Sequence, residues 1–250
     1  MQNMLSKNKQ KYLLSLQRKK IRQKEGVFIA EGRKTIEAII SSKLEVEEIF
    51  CLDLNADYLK KYSGSKVVID SSELRSVSSY TNPDDGIAIV KIPRDKYNPE
   101  NLLHGVSIFL DQVNDPGNMG TIIRLADWFG VDNILYNKGT VDPYLNKCVQ
   151  SSMGAIGNVC CIEVENSVLE ELNTIHKLPV IGTKMDGENI YTQDLPNKAI
   201  IIMGNEANGI SDEVLNMSSE FISIPKGENS ISESLNVAMS CGIILSHFKK

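Results

Sequence analysis

Three short polar segments in the second half of this sequence stand directly after apolar runs. The first is DQVNDPGNMG, residues 111–120, which runs into Thr121, Ile122, Ile123 and Arg124. Pro116 and Gly117 set a turn. Asn118 and Gly120 then fall at the mouth of a helix, where unpaired amides meet an anion or a polar ligand. Arg124 lies one to two turns further on, among Ile122, Ile123, Leu125 and Ala126, and a guanidinium in that setting needs a partner. The second segment, MGNEANGIS (203–211), places Gly204 and Gly209 around Glu206. Glycine admits a ligand close to the backbone, and Glu206 can hold that ligand or pair with Arg124. The third begins with Ile224, Pro225, Lys226 and Gly227. It reaches Ser234, Leu235 and Asn236 at the opening of the last helix. Taken singly, each segment also has a plain structural reading: a helix-start turn with a surface arginine, a flexible strand–helix loop with Ser211 as the helix N-cap, and helix capping by Ser and Asn. Neither G-x-G-x-x-G nor G-x-x-x-x-G-K-[ST] occurs, which disfavours the dinucleotide and P-loop routes to a nucleotide site.

The segments need a frame. VSIFLD (106–111), NILY (133–136), NVCCIEV (158–164), PVIGT (179–183) and AIIIMG (199–204) read as strands. They are apolar nearly throughout, as expected for a parallel sheet covered on both faces. In such sheets ligands collect at the carboxyl ends of the strands, which is where the three polar segments lie. Helices are expected over 121–130, 144–153 and 234–248. In the first half, a helix over 5–23 precedes the strand VFIA, a turn at Glu31 and Gly32, and a helix over 33–42. Strands at 47–52, 66–70 and 86–92 complete a small α/β unit. Residues 93–103, PRDKYNPENLL, read as a linker. The expected division is 1–92, linker 93–103, and 104–250.

Composition is that of an ordinary globular protein, 42% hydrophobic and 24% charged over 250 residues. No window approaches the ~18 apolar residues of a membrane span, and the N-terminus has no apolar signal region. A cytoplasmic protein is expected. The five cysteines form no C-x-x-C pair and the three histidines lie far apart, so no metal site is expected. The net charge of −5 is uneven: residues 1–25 carry eight basic side chains against one acid, and the rest of the chain is net −12. Positive charge confined to one N-terminal element reads either as a localised contact with a polyanion or as a solvated helix face.

In their order, the three segments resemble the motifs of the SpoU/TrmH family of RNA ribose 2′-O-methyltransferases. DPGNMGTIIRLADWFG is similar to the first motif, IIMGNEANGIS to the second and IPKGENSISESLNVA to the third. The likeness covers about residues 104–248. SKNKQKYLLSLQRKKIRQKEGVFIAEG resembles the small RNA-binding domain, similar to a ribosomal protein, that many members carry ahead of the catalytic domain. VDPYLNKCVQSSMGAIGN (141–158) is similar to the family's segment between motifs one and two.

The resemblance implies an α/β catalytic domain with a mostly parallel sheet and a deep trefoil knot, a rare exception to unthreaded connections. It also implies S-adenosylmethionine as methyl donor, and a homodimer with the active site at the subunit interface. By motif position, Asn118, Arg124, Glu206, Ser234 and Asn236 match the catalytic residues. Thr183, Gly204, Ile224, Pro225 and Leu235 match the cofactor cradle. Lys19, Lys20, Arg22 and Arg33 are the expected RNA contacts. Two departures stand out: the stretch from Gly227 to Ser234 is longer than in many relatives, and Gln150 replaces a basic residue. Methyl transfer to a ribose hydroxyl is an in-line displacement that needs alignment and a proton acceptor. The family assigns the proton to the arginine. A guanidinium stays charged in proteins, so the alternative is that Arg124 grips the phosphate beside the target ribose while a phosphate oxygen or water takes the proton. A separate N-terminal unit favours ribosomal RNA over tRNA, and a non-catalytic RNA-binding or ribosome-assembly factor of the same fold is the remaining alternative.

Overall fold

The computed structural model describes residues 5–83 and 85–248. Residues 1–4, the start of the N-terminus read above as non-secretory, lie outside them. In chain order the elements begin with α1 (Lys7–Ser15), α2 (Lys19–Glu25), β1 (Val27–Glu31), α3 (Arg33–Ile40), β2 (Val46–Cys51), β3 (Ser65–Val68), α4 (Ser71–Val77) and β4 (Gly86–Lys91). They continue with β5 (Val106–Leu110), α5 (Pro116–Trp128), β6 (Asn133–Tyr136), α6 (Asn146–Ser152), β7 (Cys160–Glu163), α7 (Ser167–Thr174), β8 (Val180–Asn189), β9 (Ala199–Met203), α8 (Asp212–Met217), β10 (Glu220–Ser223) and α9 (Val237–Phe248).

The first of two compact units comprises residues up to Arg94 together with Asp142–Asn158. Its sheet has the order β1-β4-β2-β3, antiparallel except for β2 with β3. β1 is buried along its whole length, so it is covered on both faces. Val27 and Ile29 join Leu13, Leu16, Leu74 and Val77 in one core. Phe28, pointing the other way by strand alternation, meets the ring of Tyr144 at 5.1 Å. The segment 142–158, expected in the C-terminal domain, therefore packs as part of this unit.

The single helix expected over 5–23 is two helices broken at Leu16–Arg18. The reason is Arg22. Its Nη1 donates to the carbonyl oxygens of Leu16 and Gln17, at 2.8 Å each, and Nη2 pairs with Asp142. A cation thus takes the carbonyls that the end of α1 leaves open. Gly26, at φ +70°, closes α2. Arg22 is 1% exposed, which removes it from the expected RNA contacts. Charge along a sequence does not reveal which member of a basic run turns inward. Lys19, Lys20 and Arg33 are exposed.

The second unit comprises Asp95–Val141 and the residues from Val159 onward. Its six-stranded sheet has the order β10-β8-β9-β5-β6-β7, and every pairing among the described residues is parallel. β5 and β9 lie side by side with both faces covered. The stretch expected as a linker is largely anchored on this unit. Leu102 is buried in its core, Tyr97 packs against the same cluster, and the Tyr97 hydroxyl donates to Glu171 at 3.4 Å. Two prolines and four charges suggested a free connection, but the intervening Tyr97, Leu102 and Leu103 supply the apolar contacts that fix it. β10 and α7 were not anticipated, and α8 only through the plain reading of Ser211 as a helix cap. β8 runs past its expected end, with a break of register against β10 after Gly182. No described helix is long and apolar enough to cross a membrane.

Candidate active site

α5 begins at Pro116, five residues earlier than its apolar pattern indicates. Proline at the first helical position is pre-set for the helix and needs no donor partner. Asp115 caps it, accepting the Asn118 amide at 2.8 Å. Asn118 therefore sits inside the first turn with its backbone amide used and its side chain free to act.

That side chain lies between two others. Asn118 Nδ2 donates to Glu206 Oε1 at 2.9 Å, and Asn118 Oδ1 accepts from Asn236 Nδ2 at 2.9 Å. Asn236 Oδ1 in turn accepts the amides of Ala238 and Met239, at 3.0 and 3.2 Å, which caps α9. The direction of this relay is dictated by chemistry. An ionised carboxylate only accepts, so Asn118 must present nitrogen to Glu206 and oxygen to Asn236. Asn236 must then turn its own oxygen toward the helix amides. Residues from all three polar segments meet in one chain of hydrogen bonds.

Glu206 is held from further directions. Its oxygens accept the amides of Asn114 and Asp115, each at 3.2 Å. Burial opposes its ionisation. The hydrogen bond from Asn118 and those from the backbone amides of Glu206, Asn114 and Asp115 outweigh it, leaving the carboxyl below its ordinary value. Glu206 thus ties the loops together, and no bond to Arg124 exists. Arg124 is exposed on α5, with no partner among the described residues, which fits the plain reading of a surface arginine and not the demand for a partner that its apolar neighbours suggested. Ile122, Ile123 and Ala126 are buried, while Arg124 takes the outer face with Thr121 and Trp128.

Three of the expected cofactor residues lie where pairing segments of three neighbouring strands end. Thr183 follows the β8 residues that pair with β9, Gly204 follows β9 directly, and Ile224 follows β10. Thr183 Oγ1 donates to the Ile202 carbonyl at 2.7 Å. Gly204 is buried where the loop folds back on itself, with Asn205 and Gly209 exchanging backbone hydrogen bonds at 2.8 and 2.9 Å. A Cβ at Gly204 would stand 2.4 Å from the Gly209 carbonyl carbon and the Ile210 nitrogen. Pro225 and Ser234 are exposed, and Leu235 is 52% exposed. Adjacent parallel strand ends with a close glycine turn leave backbone groups open to a ligand with a planar heterocycle and polar edges, such as S-adenosylmethionine. Asp111, Asn137 and Asn205 also tie these loops. They escaped sequence reading because Asp and Asn at strand ends are ordinary turn residues.

Comparison with known proteins agrees with this geometry. Residues 105–246 match the SpoU rRNA Methylase family, and residues 7–88 match the MRM3-like substrate binding domain. The chain is 28% identical over 238 residues to the 23S rRNA (guanosine(2553)-2′-O)-methyltransferase RlmP of Bacillus subtilis (strain 168), covering 94% of this chain and 93% of that protein. It is 30% identical to the 23S rRNA (guanosine-2′-O-)-methyltransferase RlmB of Neisseria meningitidis, covering 72% and 74%. A structure assigned to the TrmH family of RNA methyltransferases, from Porphyromonas gingivalis, superposes with a TM-score of 0.88 at 32% identity over 98% of both chains. The SpoU methyltransferase AviRb of Streptomyces viridochromogenes, solved with AdoMet, shares the fold at a TM-score of 0.85 and 20% identity over 97% of both. These findings place the protein in the class of RNA methyltransferases. Within that class, the chain belongs to the SpoU rRNA methylase family.

Proposed function

We propose that this enzyme methylates a ribose 2′-hydroxyl of ribosomal RNA in the cytoplasm, as a homodimer whose catalytic domain is knotted. The observation that carries the reading is the Glu206–Asn118–Asn236 relay, which joins the three motif segments beside three parallel strand ends. The names of the relatives and the substrate-binding domain over 7–88 favour ribosomal RNA over tRNA.

When bound, S-adenosylmethionine supplies an electrophilic methyl group on a sulfonium. The chain's own residues align the acceptor. Thr183, Gly204, Ile224, Pro225 and Leu235 form the cradle, largely through backbone groups. Asn118, Ser234 and Asn236 orient the incoming ribose. Glu206, already an anion with its acceptor positions filled, is a poor base and serves to hold Asn118. Arg124, exposed and without a described partner, grips the phosphate beside the target ribose, and a phosphate oxygen or water takes the hydroxyl proton. Exposed apolar side chains of the second unit, Trp128 at 83% and Met239 at 64%, support a self-association face beside Arg124.

The test is Arg124→Ala. Transfer of labelled methyl groups to ribosomal RNA should be lost, while calorimetric affinity for S-adenosylmethionine is retained. Near-normal turnover would overturn the assignment. A wild-type protein that fails to bind the donor would favour the non-catalytic alternative, and labelling of tRNA alone would change the substrate.

A further inference from the structure

Behind the relay lies a carboxylate that the proposed chemistry does not use. Asp111 follows β5 directly and is 1% exposed. Its two oxygens serve two loops. Oδ1 accepts Asn137 Nδ2 at 2.6 Å, and Oδ2 accepts the backbone amide of Ser211 at 2.6 Å. Asn137, itself buried, accepts at Oδ1 the amide of Gln112 at 2.9 Å and the hydroxyl of Thr140 at 3.2 Å. Its Nδ2 also donates to Asn166 Oδ1 at 3.0 Å. Gln112 has φ +55°, a conformation uncommon outside glycine. Its carbonyl accepts Asn205 Nδ2 at 2.7 Å.

We propose that Asp111 is a positioning residue for catalysis. Through Ser211 it locks the loop after β5 to the loop after β9, through Asn137 it holds the same loop to the one after β6, and so it sets Asn118 against Glu206. The proposal rests on the function given above. The loop after β9 is stitched to the loop after β5 at three levels: Ser211 to Asp111, Asn205 to Gln112, and Glu206 to Asn114, Asp115 and Asn118. The deepest stitch is Asp111, and it also orients Asn137, whose oxygen supports the left-handed backbone of Gln112.

The two groups facing Asp111 are both donors, which suits an acceptor-only carboxylate. Asparagine at this position must turn its amino group onto one of them. Asn137 cannot flip to accommodate it, because its oxygen already faces the Gln112 amide. One buried donor is left without an acceptor, a costly state, and the loops must shift to relieve it. Exchanging the two residues restores the pattern. The side-chain amide now at position 111 would accept from Ser211 and donate to the carboxylate now at position 137. That carboxylate would still accept from Gln112 and Thr140, and Asn166 would reverse its amide.

The experiment compares full-length wild type, Asp111→Asn, Asn137→Asp and the double exchange. Misplacement of reacting groups by about 1 Å costs on the order of a hundredfold in rate. Each single variant should therefore lose about that much kcat for methyl transfer to ribosomal RNA, with KM for RNA and affinity for S-adenosylmethionine little changed. The double variant should recover most of the loss. Amide hydrogen exchange over residues 112–118 and 204–211 should rise in the singles and fall again in the double. Unchanged kcat in Asp111→Asn, or a folded double variant no better than the singles, overturns the proposal. If a single variant does not fold, the double variant is compared with wild type: recovery of most of the wild-type kcat supports the proposal, and a loss on the order of a hundredfold overturns it. If wild type methylates no RNA, the proposed function fails, while the exchange pattern still tests the positioning role.

Discussion

At the scale of residues, the site is a matter of which polar atom faces which. Glu206 is the clearest case. Hydrogen bonds hold its carboxyl below the ordinary value against the opposing effect of burial. A depressed folded pKa contributes stability above the unfolded carboxylate value and loses it as pH falls through the folded one. Glu206→Gln should therefore melt below wild type at neutral pH, and the gap should narrow as the pH drops past the ordinary carboxylate range. A gap independent of pH in differential scanning calorimetry would refute the electrostatic account. Asn118, Glu206 and Asn236 were legible in the sequence because motif order marks them. Their mutual bonding was not, since it depends on two loops and a helix start meeting in space. Arg124 shows the reverse: its apolar sequence neighbours suggested a partner, yet they occupy the other face of α5, and the plain reading of a surface arginine agrees with its exposure.

Among elements, the apolar strands were readable because runs such as AIIIM have one physical use, the interior of a parallel sheet. The breaks were not. Nothing in the periodicity of residues 5–23 marks the interruption between α1 and α2, because the group that caps it, Arg22, is a turn further on and its acid partner is 120 residues away. Arg22→Met should expose the worth of this arrangement. It strands the Asp142 carboxylate, only 12% exposed, and uncaps α1. Breaking a buried pair from one side costs about 3–5 kcal/mol, a loss readable by urea denaturation. A loss below about 1 kcal/mol, the level of an exposed pair, would mean that the buried geometry is wrong.

For the whole molecule, two surface features make separate predictions. The proposed homodimer places Trp128 and Met239 at its interface, so Trp128→Glu should convert a dimer to a monomer in light scattering and reduce methyl transfer; a monomeric wild type would remove that idea. The uneven charge makes the other. Lys19→Glu with Lys20→Glu leaves the buried Leu13, Leu16 and Arg22 in place, unlike deletion of the whole segment. It should weaken RNA binding and flatten the slope of log affinity against log salt by about one for each phosphate no longer neutralised. An unchanged slope would exclude that face. The division into two units was legible in outline from the shift of composition near residue 93. The exchange of 142–158 into the first unit was not, because Phe28 and Tyr144 announce their partnership nowhere in the one-dimensional pattern. That exchange has a consequence for the chain as it is made. Arg22 leaves the ribosome long before Asp142 exists, and at about 5–20 residues per second the wait is roughly 6–24 s. During it, β1 lacks the cover that α6 and Tyr144 give it, so the part of the protein synthesised first is finished only after the translating ribosome has passed well into the part that follows.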